Sequence, residues 1–328
     1  MTKVSVLLPT FNAAAHIEET LRSILVQTHA DFEVIVLDDC STDTTVDLIT
    51  AFADARVGVH VNEVNLGLPT TINIGLALAR GDHIARMDHD DIAHPERLRL
   101  QSAYLDLHPE IMLVGSQIEH FHDESAVTDF PLDDGDIKAR LLTGKRYVAN
   151  PTTMFRADFV RAARLRFDPN LYVVDDLGFL FDCALAGGRF ANLPDVLLKY
   201  RMHAGMTSKN LEIDRLFKSK KRLFSRILVE YFPNLTADDC NHLLNLYQFD
   251  DLAPDDMQAM RPFCRAAGRA MSLVNGSIGQ DTKKVRDYFS EMITARLDYM
   301  ILEKKNLTLS EFQEDLEPIY LTALNRAA

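Results

Sequence analysis

The stretch from Val4 to Asp43, VSVLLPTFNAAAHIEETLRSILVQTHADFEVIVLDDCSTD, decides the fold. Val4–Leu8 is a short apolar run of strand type. Between Ala14 and Val26, Ile17, Leu21, Ile24 and Leu25 recur at the spacing of one helix face. Phe32–Leu37 is a second apolar run and reads as a buried strand. Ser41-Thr42-Asp43 then opens a helix carrying Val46, Leu48, Ile49 and Phe52, with Ser41 or Asp43 as the natural N-cap. Val57–Val61 predicts a third strand, and Leu68–Ala79 a third helix that stops before Gly81. His83–Met87 predicts a fourth strand ending in an acidic cluster, after which Pro95 starts a helix with Leu98, Leu100, Leu105 and Leu107. Such alternation implies an α/β protein with a parallel, doubly wound sheet. Ligands bind such sheets at the carboxyl ends of the strands, here just after Leu8, Leu37 and Met87.

Beyond residue 110 the pattern loosens, mixing strands (Ile111–Phe121, Thr152–Phe155, Phe190–Leu193) with helices. After about residue 208 it becomes all-helical: Leu211–Tyr231, Asp238–Tyr247, Asp255–Ser272, Lys283–Leu302 and Ser310–Leu324. The expected organisation is a domain over 1–207, made of an alternating part over 1–110 and a looser part over 111–207, followed by a helical region over 208–328. The 328 residues carry 35 basic and 48 acidic side chains, a net charge of −13. Residues 1–204 hold 30 acidic and 18 basic groups, so nearly all of the excess lies with the sheet. That balance argues against a nucleic-acid partner, and it suits a site that holds a hard divalent cation. No apolar run is long enough to span a bilayer, no signal peptide is recognisable, and the four cysteines lie far apart. A cytoplasmic protein with reduced thiols is expected.

Three acidic loops fall at strand-to-helix junctions: Asp38-Asp39-Cys40-Ser41-Thr42-Asp43, Asp88-His89-Asp90-Asp91 and Asp175-Asp176. Carboxylates this dense repel one another unless cations or hydrogen-bond donors compensate them. The blocks also occur in a particular order. Val4–Asn12, Gln27-Thr28, Asp38–Asp43, Asn65-Leu66-Gly67, Asn73-Ile74-Gly75, Met87–Asp91, Val174–Asp176 and Phe190–His203 together resemble the family 2 glycosyltransferases of the GT-A fold, over residues 3 to about 208. The spacing of the last blocks and the helical tail are similar to those of bacterial lipooligosaccharide and capsule enzymes that transfer hexose or N-acetylhexosamine.

The resemblance implies nucleotide-sugar binding in 1–110, the acceptor side and base in 111–207, and a role for each block. Pro9, Thr10, Phe11, Asn12, Asp39, Asn65 and Gly67 correspond to the nucleotide-sugar pocket. Phe11 can stack on the base, and Asp39 can accept the N3–H of uracil, which favours a UDP-sugar. Asp88, His89 and Asp90 form the Asp-x-Asp segment: Asp88 faces ribose or sugar, and Asp90 and Asp88 hold Mn²⁺ or Mg²⁺. His203 is a further metal ligand or a phosphate contact. Arg201 pairs with a phosphate or with one of the acidic loops. Asp176, paired with Asp175, is the general base that takes the acceptor hydroxyl proton in an in-line displacement with inversion. The acceptor is expected to be a glycan or a lipid-linked saccharide.

Several positions depart from the family pattern. Cys40 replaces the glycine of the second acidic block, so that turn is expected not to need a glycine-like conformation. Ile72 stands where many members have Arg, Asp175 where they have Glu, and Leu177–Leu180 replaces an aromatic-acidic stretch. The basic segment Arg215–Arg226, with Leu216, Phe217, Leu223, Phe224, Ile227 and Leu228 able to share one face, reads either as a core helix with a solvated basic side or as peripheral contact with anionic membrane at the inner face of the cell membrane through 215–228. Two alternatives are a nucleotidyltransferase, which would need a Gly-rich phosphate loop in place of Pro9–Asn12, and a non-catalytic nucleotide-sugar-binding protein, which would not need Asp88, Asp90 and Asp176 together. No G-x-G-x-x-G follows the first strand, so a dehydrogenase is excluded.

Overall fold

The structure, a computed structural model, describes residues 3–121, 126–203, 211–244, 257–276, 278 and 281–304. Val4–Thr10 forms β1, buried along its whole length, and Ile17–Leu25 forms α1, whose Ile17, Leu21 and Ile24 face the core. Phe32–Asp38 is β2, Thr45–Thr50 α2, Val57–Val61 β3, Leu68–Leu78 α3 and His83–Arg86 β4. Ile92–Ala93 is the short β5, Arg97–Leu107 α4 and Leu113–Phe121 β6. Ala126–Val127 is β7, Asp134–Leu141 α5, Met154–Arg156 β8 and Ala157–Ala162 α6. Asp175–Leu185 is α7 and Phe190–Arg201 the twelve-residue β9.

Among the described residues these strands make one sheet in the order β3-β2-β1-β4-β8-β6-β9-β5, with β7 on β6. The doubly wound part, β3, β2, β1 and β4, is parallel. The second half is mixed: β8 runs antiparallel to both β4 and β6, β9 is parallel to β6, and β5 is antiparallel to β9. Strand–helix crossovers dictate the first pattern, and the looser chain after residue 110 produces the second. One core cluster of the sheet unit contains Val4, Val6, Leu8, Ile17, Leu21, Val34, Val36, Ala85 and Met87. Each fully buried side chain of this size contributes roughly 1.5–3 kcal/mol. Helix α3 approaches the sheet closely at Gly75, where an added Cβ would lie 2.4 Å from Leu37 Cδ1.

The chain forms two compact units, residues 1–137 with 146–216, and residues 138–145 with 217–328. The division therefore falls within Ile213–Tyr231 (α8) rather than at 207/208. Residues 138–145 join the helices because Tyr231 Oη donates to the Lys138 carbonyl at 2.7 Å, and the Thr143 and Tyr288 hydroxyls lie 2.7 Å apart. Composition carries no trace of such an exchange. The helical unit also contains Ala237–Leu243 (α9), Met257–Ser272 (α10) and Thr282–Lys304 (α11). The helix expected over Ser310–Leu324 lies outside the described residues.

The membrane reading of 215–228 is not supported by the burial of α8. Leu223, Phe224, Ile227 and Leu228 are all buried, so the apolar stripe is core. Lys218, Lys221, Arg222 and Arg226 take the exposed positions. No helix among the described residues is long and apolar enough to cross a membrane.

Candidate active site

Pro9 and Thr10 end β1 inside the sheet, and Thr10 Oγ1 donates to Asp38 Oδ1 at 2.9 Å. Phe11 follows with its side chain 45% exposed, which leaves a ring face free for a planar ligand. Asn12 has a φ of +49°, and its Oδ1 accepts from the Thr42 amide at 2.9 Å. This ties the loop after β1 to the loop after β2. Asp38 closes that second loop by accepting from the Ser41 amide at 2.8 Å and the Ser41 hydroxyl at 2.6 Å. Neither Ser41 nor Asp43 is the N-cap of α2. Thr44 holds that place, because Ser41 is bound to Asp38 while Asp43 accepts from the Thr45 amide at 3.0 Å.

Asp39 is 5% exposed, and its carboxylate holds the loop after β3. Oδ1 accepts from Asn62 Nδ2 at 2.8 Å and the Leu66 amide at 2.7 Å; Oδ2 accepts from the Gly67 amide at 2.8 Å. Asn65 Nδ2 donates to the Asp39 carbonyl at 3.1 Å, and Gly67 has a φ of +82°. Oδ2 thus retains capacity for a base N–H. The turn between Asp39 and Ser41 corrects the expectation for Cys40, whose φ of +64° lies in the left-handed region that favours glycine. Cys40→Gly is expected to raise stability by about 0–1 kcal/mol, because relief of the αL strain exceeds the added chain entropy. Urea melts check it, and a loss of more than about 1 kcal/mol would contradict it.

The acidic loop after β4 is held from three sides. Arg86 Nη2 lies 3.0 Å from Asp88 Oδ1, and His203 Nε2 lies 2.9 Å from Asp90 Oδ2. Asp91 Oδ1 accepts from the Arg201 amide at 2.9 Å, while its buried Oδ2 has no partner. Burial, reinforced by Asp88 and Asp90, pushes the Asp91 carboxyl up to about 9. His89 Nδ1 faces the Pro9 carbonyl at 3.3 Å, which joins this loop to β1. Of the two roles expected for Arg201, pairing with an acidic loop is the one present. Its Nε donates to the Asp90 carbonyl at 2.6 Å, Nη2 pairs with Glu19 at 2.5 Å, and the guanidinium lies 4.7 Å over the Phe121 ring. At 6% exposure, the side chain would have to leave these partners to meet a phosphate.

Asp175 and Asp176 are the first two residues of α7, where the helix dipole favours negative charge. Asp175 is buried; Asp176 is partly exposed and accepts from the Leu177 amide at 2.7 Å. Burial and the neighbouring Asp176 push Asp175 up to about 7, and burial also raises Asp176. The Arg86 guanidinium draws both down. Asn73 supports the segment leading to α7: its Nδ2 donates to the Phe167 carbonyl at 2.8 Å, and its Oδ1 accepts from the Phe167 amide at 2.9 Å. Ile72 is buried in the core beside it.

Among the described residues no three His, Cys, Asp or Glu side chains form a ready cation site. Asp90 and His203 already touch, Asp88 is turned to Arg86, and Asp91 has an orphaned oxygen. A carboxylate–imidazole pair within a carboxylate-rich loop fits a hard divalent cation in chemical type. Sequence reading missed Arg86, Glu19, Asp91 and Tyr147, whose buried hydroxyl lies in the field of Asp175 and Asp176. Arg86 left a signal as a basic residue in a short buried strand, and Asp91 as a member of the acidic loop that follows it.

A parallel half-sheet continued by a mixed half, with acidic loops after β2 and β4 and a carboxylate pair heading a helix, defines a glycosyltransferase fold of the GT-A class. Residues 5–162 match the model of glycosyl transferase family 2. An uncharacterized glycosyltransferase of Haemophilus influenzae is 31% identical over 264 residues, 75% of this chain and 81% of that protein. The amylovoran biosynthesis glycosyltransferase AmsE of Erwinia amylovora is 34% identical over 213 residues, 62% of this chain and 78% of that protein. The structure of S. aureus TarS 1–349 in complex with UDP-GlcNAc superposes with a TM-score of 0.64 at 19% identity, over 90% of this chain and 92% of that one. The Pyrobaculum calidifontis mannosyltransferase PcManGT, in complex with GDP-Man and Mn²⁺, gives 0.53 at 18% identity, over 90% and 87%. The chain belongs to glycosyl transferase family 2 and is a glycosyltransferase. The matched segment ends before Asp175, Asp176, Arg201 and His203.

Proposed function

We propose that the protein transfers a sugar, with inversion, from a UDP-sugar to a hydroxyl of a glycan or lipid-linked saccharide, using Mn²⁺ or Mg²⁺, in the synthesis of a bacterial surface polysaccharide or lipooligosaccharide. The observation that carries it is the convergence of two half-sites. The Asp88–Asp91 loop with His203 lies at the end of β4, and the ionisable pair Asp175–Asp176 heads α7, with Arg86 in the field of both. The UDP-GlcNAc complex of TarS supports the donor class, and the biosynthetic role in the name of AmsE supports the acceptor class. The four free cysteines fit a cytoplasmic setting.

Phe11 stacks on the base and Asp39 Oδ2 accepts its N–H. Asp90 and His203, joined by Asp88, would hold the divalent cation, which supplies positive charge to the departing diphosphate. Asp176, the more accessible of its pair, takes the acceptor proton as the acceptor oxygen forms its bond to the anomeric carbon and the sugar–phosphate bond breaks. A thermal-shift panel of UDP-, GDP- and CMP-sugars, with and without Mn²⁺, tests the reading. Stabilisation by a UDP-sugar only with metal is expected; metal-independent stabilisation by CMP-sugars would sink it. Phe11→Ala is expected to weaken donor binding by about 1–3 kcal/mol, roughly 5- to 150-fold, the worth of one base–aromatic stack. Calorimetric titration with UDP measures it, and an unchanged Kd would remove Phe11 from the base site.

A further inference from the structure

Arg86 is the least satisfied charged side chain near the site. It ends β4 at 2% exposure, and its backbone is fixed by two bonds, its amide to the Thr153 carbonyl at 2.9 Å and its carbonyl to Arg97 Nη2 at 2.6 Å. Its only ion pair among the described residues is with Asp88 at 3.0 Å, and its Nε and Nη1 are buried without acceptors. A buried guanidinium with unpaired N–H groups is costly unless another state of the protein gives it partners. Asp175 and Asp176 are acceptors within its electrostatic reach: both lie in its field, and Asp176 accepts from the Leu177 amide at 2.7 Å. Asp88, by contrast, is 29% exposed and can be reached by a ligand.

We propose that Arg86 is a positioning residue for transfer, whose buried guanidinium holds Asp88 before the donor binds and turns its unpaired N–H groups to the Asp175–Asp176 pair once the donor engages Asp88. The inference rests on the assignment of Asp88 to the donor and of Asp176 to the acceptor proton. Its consequence is that the two half-sites are linked: the base is fixed and kept ionised by the same cation that the donor releases. Among the described residues, Arg86 and Asp88 from the β4 end and Tyr147 from the segment before β8 act on the pair, and of these three Arg86 is the cation.

The test compares Arg86→Gln and Arg86→Lys with the parent protein. Carbon-13 NMR of labelled aspartate in the free protein reads the Asp175 and Asp176 carboxyls without turnover. In Arg86→Gln their titration is expected to move to higher pH by about one unit or more, and Arg86→Lys is expected to restore it. In turnover, kcat of Arg86→Gln should fall roughly 10- to 100-fold with the acid limb moved the same way, while donor KM changes less than about threefold. Unmoved carboxyl titration in Arg86→Gln, with its thermal unfolding still cooperative, overturns the proposal. So does a Lys variant that behaves like Gln. If no sugar nucleotide is turned over by the parent protein, the functional reading fails, and the NMR result still decides whether Arg86 controls the pair.

Discussion

Asp176→Asn is expected to lower the rate of sugar transfer by roughly 10²–10⁴-fold, the range that a positioned general base contributes. Donor affinity should remain within about threefold, since the amide removes a proton acceptor and little else. The pH profile gives a second reading of the same group. Burial and the adjacent Asp176 push Asp175 up to about 7, and burial raises Asp176. The rate should therefore begin to fall at a pH above the ~4 of an exposed carboxylate. The stability consequence has the opposite sense. With its folded-state value above the unfolded one, Asp175 contributes stability at low pH that is lost as the pH rises through about 7, and the raised Asp176 acts in the same direction. Asp176→Asn removes one of those charges and should melt at or above the parent temperature at pH 8. A low rate with unchanged or raised melting temperature separates lost chemistry from lost fold. Near-normal turnover would remove the assignment.

Asp90→Ala is expected to abolish the metal-dependent stabilisation by donor and to lower kcat/KM by roughly 10³-fold, the several kcal/mol that a Lewis-acidic cation supplies. His203→Ala should cost less, roughly 10- to 100-fold in metal affinity. The difference follows from geometry. Asp90 presents a hard carboxylate oxygen, and its own carbonyl also anchors Arg201 at 2.6 Å, whereas His203 presents an imidazole nitrogen and lies against the His16 ring at 5.1 Å. Manganese titration with thermal shift and calorimetry gives both values. Donor binding that is equally tight with and without metal in the parent protein and in both variants would refute the cation site.

The strand–helix alternation of the first 110 residues is legible because strands buried on both faces must be apolar and amphipathic helices must repeat every 3.6 residues. The mixed half of the sheet is not. β8 has three residues, and its place between β4 and β6 is set by long-range pairing with no local signature. Asp39, Asp88, Asp90, Asp176 and His203 are readable as acidic or imidazole groups at strand and helix ends. Their partners are a different matter. That Asp39 grips the Leu66 and Gly67 amides, or that Arg201 reaches back to Glu19, depends on chain segments up to 182 residues apart. Cys40 departs from its expected conformation for a related reason, since a residue type permits an inference about φ only when the surrounding hydrogen bonds leave φ free. In this loop they do not.

The contact between Asp90 and His203 spans 113 residues, and the pairing of β5 with β9 brings its two ends together. During synthesis on the ribosome, the loops after β1, β2 and β4 therefore emerge long before the imidazole that joins Asp90. A nascent chain ending before β9 has the early strands and the Asp-x-Asp, but lacks His203 and the Arg201 clamp. The Asp90–His203 pair is therefore complete only once β9 has docked. Contacts of this sequence separation also form late and slowly, which makes docking of β9 the step at which a folded sheet becomes an enzyme.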